Sequence, residues 1–434
     1  MRHLVFLFIG MLCSVMAFGQ TADTLGQQDR HSFTSGAQLW ARGEWRDGAL
    51  PNKDGYDEAM FIMESTLLQF SYKHKGMEIK VAPRHSGVWG AAGNGSFSLD
   101  EGWFALRHPN GLFVQLGRQR LAYDDERIIG NNDWVMTASR HDVLKAGYDG
   151  KKHRLHLLYA FNQNDVNTNG GTYFVDGGQP YKSMQTLWYH FSPVQQLGAS
   201  LIFMNTGMQD MVNGGSNSLF QQLYGGFVDW SPGPLSFQAS YYRQSGVNEY
   251  KVPIRAWMTS FEAAWHVSQE WNLNAGYFYL SGDDDYFFAE EGVHGVLRQK
   301  EINGFNPIFG THHEFYGAMD FFYVEDFYAG NSPGLQDLHA GVNWHPWKNL
   351  GLEAEYHCMA TSVPVRNAAT WLLGHEIELS TAWHITKNVS LQAGYSYMKG
   401  TETMTVLKRT SDKNRLKWGW LMLVVTPSFF STDW

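Results

Sequence analysis

The feature that most constrains this chain is an alternation between short, turn-like connections and long polar ones, joining runs in which apolar residues recur at every second position. Short links occur at Lys73–Gly76, His108–Gly111, Asp149–His153, Ser192–Gln196, Ser231–Pro234, Ser268–Trp271, His345–Leu350 and Thr386–Val389. They are rich in Pro, Gly, Asn and Ser, which preset turn dihedrals or hydrogen-bond to their own backbone. Each is flanked by alternating runs. His153–Gln163 sets Leu155, Leu157, Tyr159 and Phe161 against His156, Leu158, Ala160 and Asn162. Trp271–Ser281 sets Leu273, Ala275, Tyr277 and Tyr279 against Asn274, Gly276 and Phe278; Leu335–His345 and Val389–Gly400 repeat the pattern. Alternation over ~10 residues, apolar toward lipid and polar or small toward a wet interior, suits a strand of a transmembrane barrel. A single such strand also suits a half-buried soluble sheet, so the repetition carries the weight.

Long polar segments separate the hairpins: Arg46–Glu58, Gly87–Ser96, Ala122–Asp142, Asn162–Lys182, Gly207–Gln222, Ser245–Pro253, Ser281–Gln336, Met359–Gly374 and Gly400–Arg415. In a soluble domain such loops count against the assignment; a barrel with short periplasmic turns and long extracellular loops has them as a rule. Eight hairpins with Ser35–Trp45 before them and Lys417–Phe429 after them give eighteen strands. One segment, His312–Val324, would make nineteen if it crossed the membrane. A single-chain bacterial barrel has an even number, so Ser281–Gln336 is expected to be one extracellular excursion, part of it folded into the lumen. Pro427 cannot donate to a ladder and is expected to end the pairing of the last strand.

Residues 1–19 read as a signal peptide: Arg2 and His3, an apolar run from Leu4 to Phe18, and Gly19 at a small-residue exit. The run is shorter than the ~20 residues of a spanning helix. Residues 20–34 are expected to form an N-terminal periplasmic segment and 35–434 the barrel. With Cys13 in the signal, Cys358 is left as the one cysteine of the mature chain, so no internal disulfide is expected. The mean hydropathy of -0.34 fits strands that give lipid only every second residue. The 17 Trp, 21 Tyr and 28 Phe suit the aromatic girdles of a barrel. A net charge of -9 speaks against a nucleic-acid partner. The terminal Trp434 suits recognition by the outer-membrane assembly machinery.

Two blocks then resemble a known family. Gly117–Asp149 (GRQRLAYDDERIIGNNDWVMTASRHDVLKAGYD) resembles the central signature of the alginate-export outer-membrane proteins, with Gly-Arg-Gln, Tyr-Gly-Asp, Arg-Leu-x-Gly, a Trp and Phe-Asp-Ala. Phe305–His357 resembles that family's later motif, with His-x-Phe-Tyr-Gly-x-Met-Asp and a Leu-x-Asp strand. Together they cover about a fifth of the chain. The resemblance implies an eighteen-stranded barrel in the outer membrane of a Gram-negative bacterium, its lumen lined with arginines and narrowed by loops, conducting an anionic polyuronate. Two departures stand out: Tyr123-Asp124-Asp125 replaces Tyr-Gly-Asp, and His141-Asp142-Val143 replaces Phe-Asp-Ala.

A channel selects by the charge and width of its lining. Taking each strand's apolar set as lipid-facing turns Glu78, Lys80, Arg84, Glu101 and Arg107 inward. Arg118 and Arg120 share parity with the apolar Val114 and Leu116, so reaching the pore requires a bulge at Gly117 or a loop position; the alternative is a pair at the headgroups. Arg127, Arg140 and Asp142 fall in the following loop, as substrate contacts or as a salt-bridged scaffold. Glu353, Glu355, Glu376 and Glu378 point inward on two neighbouring strands, where they would repel unless paired. Pore arginines are the first expected partners and a calcium ion the alternative. The pair His312-His313 and the run Asp283-Asp284-Asp285 lack zinc or EF-hand spacing, and no nucleophile motif is found. The expected function is a passive channel for an anionic polysaccharide, with no cofactor and no catalysis. A general porin of the same fold, or a non-conducting barrel enzyme or adhesin, are the rival readings.

Overall fold

The structure is a computed structural model that describes residues 30–48, 58–93, 95–136, 139–166, 168–175, 178–283, 300–322, 332–365, 367–408 and 415–434. The expected signal peptide lies outside these residues, as do Asp284 and Asp285. In chain order the strands are β1 (His31–Asp47), β2 (Ala59–His74), β3 (Met77–Val88), β4 (Ser96–Arg107), β5 (Leu112–Gln119), β6 (His141–Asp149), β7 (His153–Phe161), β8 (Ser183–Val194) and β9 (Leu197–Gln209). They continue with β10 (Ser218–Trp230), β11 (Leu235–Val247), β12 (Pro253–His266), β13 (Trp271–Leu280), β14 (Leu335–Trp347), β15 (Leu350–Ala360), β16 (Leu372–Thr386) and β17 (Val389–Gly400). The last, β18, runs in two pieces, Arg415–Val425 and Ser428–Asp433.

Each strand pairs antiparallel with the next, and β1 pairs with both β2 and β18, closing an eighteen-stranded barrel. Closure leaves no sheet edge, which is what lets strands sit in lipid. The chain ends meet: the backbones of His31 and Trp434 exchange hydrogen bonds of 2.7 and 3.0 Å, and their rings stack. Pro427 does not end the pairing. The ladder slips by one residue between Ser35 and Gly36, Pro427 gives its carbonyl to the Ala37 amide, and pairing resumes from Ser428 onward. A missing N–H is thus absorbed by a bulge. The expected strand at Ser35 begins four residues earlier, at His31.

All eight short links are hairpin turns. Between β2 and β3 only Lys75 and Gly76 intervene, both at positive φ (46° and 79°), the twist-matched geometry of two-residue hairpins. The segment around His312 is no strand: His312–Glu314 is a single 3-10 turn.

The alternation read from the sequence holds. Leu155, Leu273, Tyr277, Leu338 and Tyr395 are exposed on the outer face, while His156, Leu158, Phe278, Asp337 and His339 are buried on the inner one. Trp230, Trp265, Trp271, Trp344 and Trp383 are exposed toward the turn end of the outer face, and Trp257 and Trp371 toward the loop end. The inner face departs from expectation toward the loops. Met184, Met204, Met258, Met359, Met398 and Trp418 are inward yet apolar, and they pack with Ile129, Phe305, Phe309, Tyr316, Phe322, Met404 and Leu407 from infolded loops and the short helix α1 (Glu402–Lys408). Part of the barrel interior toward the loops is therefore filled by an apolar core, beside which the charged side chains of the inner wall are set.

Candidate functional site

The charged lining starts from a proline. Pro83 on β3 has no N–H to give, and the β3–β4 register slips there: Ala82 faces Glu101 and Pro83 faces Leu99, leaving Asp100 as an extra residue. The bulge turns two successive carboxylates, Asp100 and Glu101, to the interior. Three guanidiniums converge on Asp100, those of Arg84 at 2.9 Å, Arg140 at 3.0 Å and Arg120 at 3.1 Å. Arg120 also reaches Glu101 (3.3 Å) and Asp133 (2.8 Å), Arg140 reaches Asp133 (2.9 Å), and Lys80 pairs with Glu101. On β1, Arg42 and Arg46 share Glu44 at 2.8 and 2.9 Å, and Arg42 lies 3.8 Å over the Trp134 ring. Lower on the wall Arg107 pairs with Glu78 at 3.1 Å. A cavity of about 490 Å3 opens beside Lys80 and Arg120, against Gln38, Gln69 and Ser71.

The loop after β5 folds inward and docks on the loop that precedes β14. Ile129 and Phe309 bridge in parallel, the Gly130 amide donates to the Phe309 carbonyl (2.8 Å), and the Thr311 amide donates to Glu126 (2.9 Å). The approach is close enough that a Cβ at Gly130 would sit 2.1 Å from the Thr311 hydroxyl. At the junction Arg127 is fully buried. It pairs with Asp125 (3.1 Å) and with Glu262 of β12 (2.8 Å), and lies about 4 Å over the rings of Phe278 and Phe315. Burial opposes its charge, but Tyr316, Asp125 and Glu262 outweigh that and hold its pKa above the ordinary arginine value. Arg127 thus clamps the infolded loops to the wall.

Asp124, in the same loop, accepts from the Trp188 indole N–H at 3.0 Å. Burial raises its pKa to about 6, with Asp125 adding in the same direction. It faces a second cavity, of about 450 Å3, with Lys145, Arg154 and Asp229.

Across the barrel, β14–β16 carry the opposite charge. Glu355 stands directly across from Glu378, and His357 from Glu376. The expected partnering with arginine is not found among the described residues. Glu378 accepts from the Ala318 amide (2.5 Å), Glu376 from the Met319 amide (2.9 Å), Glu355 from Asn274 (3.2 Å) and Glu353 from Ser380 (3.4 Å). The basic wall uses its arginines on its own bulged carboxylates, so the acidic wall relies on loop amides, amide side chains and histidines. His357 bonds Asp337 at 2.8 Å through Nδ1 and lies 3.4 Å from Glu378 through Nε2.

Of the residues singled out from sequence, Lys80, Arg84, Arg107, Arg120 and Arg140 lie on the inner basic wall, Arg127 in the loop junction, and Glu353, Glu355, Glu376 and Glu378 on the inner acidic wall. Arg118 and Asp142 do not join them. The β4–β5 register runs from Arg107 opposite Phe113 to Gly102 opposite Arg118 without a slip, so the bulge expected at Gly117 is absent. Arg118 keeps the outward parity of Leu116 and pairs there with Asp142 through two bonds of 2.8 Å. Arg120 reaches the lumen because the chain leaves the sheet after Gln119. Sequence reasoning missed Asp100, Asp133, Arg42, Glu44, Asp337, His339 and His357. Pro83 inside a strand signalled a bulge, and strand parity alone would have turned Arg42 and Glu44 inward.

The sequence profile described as alginate export matches residues 98–361, more than half of the chain. Among solved structures, OccK3 (OpdO) of Pseudomonas aeruginosa superposes with a TM-score of 0.61 at 12% identity, covering 91% of this chain and 96% of that one. OpdL of the same organism gives 0.62 at 10% identity, over 92% and 99%. OccAB1 of Acinetobacter baumannii gives 0.61 at 11% identity, over 92% and 97%. At such identities the likeness is one of fold. Comparison with curated protein sequences found no match.

Proposed function

The chain belongs to the alginate-export family of outer-membrane barrels, and from that membership we propose that it is a passive channel whose lumen conducts an acidic polysaccharide or its fragments. The observation that supports this reading best is the cluster of Arg84, Arg120, Arg140 and Lys80 on Asp100, Glu101 and Asp133. There cations outnumber carboxylates, and Arg120 and Lys80 remain partly open to a cavity. Fixed guanidiniums match carboxylate geometry, and basic side chains lining a pore lower the barrier for anions. Arg127 belongs to the loop clamp in this reading, and the outward Arg118–Asp142 pair has no part in conduction. No cofactor and no catalytic step are needed.

A second reading is a general porin of the same fold that admits small solutes of either sign. It draws support from the acidic wall, whose carboxylates carry no arginine partner among the described residues. Planar-bilayer recording separates the two. The first expects anion-selective reversal potentials in a salt gradient and current block by oligomannuronate but not by neutral glucan, with the block weakened in Arg120→Ala. Equal block by both sugars, or cation selectivity untouched by Arg120→Ala, overturns it.

A further inference from the structure

We propose that Asp337, His339 and His357 bind a divalent transition-metal ion of the zinc class on the inner face of β14 and β15. The three residues are buried, and one ligand atom from each lies within 4.8 Å of the others. His339 and His357 are direct cross-strand partners, their rings 5.5 Å apart, and Asp337 is the next inward residue along β14. The His357–Asp337 hydrogen bond accounts for one oxygen of Asp337 only. The other oxygen of Asp337 and Nδ1 of His339 are buried without a partner, although His339 Nδ1 lies 3.7 Å from the Asp337 carboxylate. Buried polar atoms of native proteins find partners, and a cation taking the place of the proton between His357 and Asp337 would give both atoms one.

The donor set selects the ion. Two imidazole nitrogens and one carboxylate suit zinc and its neighbours, whereas calcium and magnesium take oxygen ligands. The surroundings are those of a supported site. His357 turns its other nitrogen toward Glu378 at 3.4 Å, the outer carboxylate that orients a metal-bound imidazole. His339 lies over Gly276, where a Cβ would come within 2.5 Å of its Nε2, and its other side meets Phe278 at 4.4 Å. A cavity of about 180 Å3, bounded by His339, His357, Glu355, Glu378 and Phe315, opens beside the two histidines. Bound there, the ion would tie β14 to β15 and offset the excess negative charge of the wall, whether or not the barrel conducts a polysaccharide.

The test is metal titration of the mature barrel, refolded without a polyhistidine tag and stripped with chelator, its fold verified by heat-dependent mobility on gels. The expected result is one Zn2+ per chain, replaceable by Co2+ with the visible absorption of nitrogen-bound cobalt and not displaced by equimolar Ca2+. His339→Ala and His357→Ala should each weaken binding at least tenfold, and Glu378→Gln by about tenfold. In the unaltered protein, Zn2+ should also protect both histidines from carbethoxylation, a readout that stands if a variant fails to fold. Absence of stoichiometric Zn2+ binding, displacement by Ca2+, unchanged affinity in folded histidine variants, or equal carbethoxylation with and without Zn2+ overturns the proposal.

Discussion

On the wall formed by β1–β4 with the loop after β5, each of Arg42, Arg46, Arg84, Arg120 and Arg140 has a carboxylate oxygen within 3.1 Å. On the wall formed by β14–β16, Glu353, Glu355, Glu376 and Glu378 meet amides, a hydroxyl and an imidazole instead. The first arrangement is closed on itself: planar guanidiniums and bulged carboxylates fix one another. The second is conditional, because two of its donors are backbone amides of a loop, at Ala318 and Met319. The basic side is thus the rigid element of the lumen, and the acidic side is the one that responds to loop position or cations.

The largest expected effect breaks this contrast at its stiffest point. Asp100→Asn leaves Arg84, Arg120 and Arg140 without their shared counter-charge, and unpairing a buried ion network costs about 3–5 kcal/mol. Glu376→Gln, which keeps an acceptor for the Met319 amide, should cost less than about 1 kcal/mol. Urea unfolding of the refolded barrel measures both, and equal costs would erase the distinction between the walls.

Next in size is a pH effect in the infolded loop. The pKa of Asp124 in the fold is about 6 against an ordinary 3.8, so the folded state binds the proton more tightly than the unfolded chain. The sign follows: the favourable protonated contribution is complete below about pH 4 and is lost as pH rises through about 6. The loss amounts to about 3 kcal/mol at most. Unfolding free energies measured from pH 4 to pH 7 should fall in the parent protein and stay flatter in Asp124→Asn.

Selectivity sharpens the comparison further. Arg120→Ala should lower the anion-to-cation permeability ratio and Glu353→Gln should raise it, each by about two- to threefold, read as opposite shifts of reversal potential. Shifts of the same sign would mean that the current does not pass between the two walls. The smallest effect is expected outside the lumen: Arg118→Ala removes a half-exposed pair, should cost less than about 1 kcal/mol, and should leave the reversal potential where it was.

Which strands exist, which face each presents and on which end the loops lie were legible before any coordinates, as were the inward Lys80, Arg84, Glu353 and Glu378. Arg118 was misplaced because the family resemblance put it at the pore, and the bulge at Gly117 invoked to bring it there is a slip that the register does not contain. Asp100 was overlooked because its inward turn depends on Pro83 in the neighbouring strand.

The sequence by itself determined the barrel, since a period of two and the contrast between tight turns and long loops are local properties, and closure follows from counting. The tertiary structure decided which charges meet. Arg140 reaches Asp100 across 40 positions, Arg127 reaches Glu262 across 135, and the Met319 amide reaches Glu376 across 57. Those meetings depend on how infolded loops seat against a closed wall. Strand parity tells a side chain only which way to face, and what it finds there is set by the packing of segments far away in the chain.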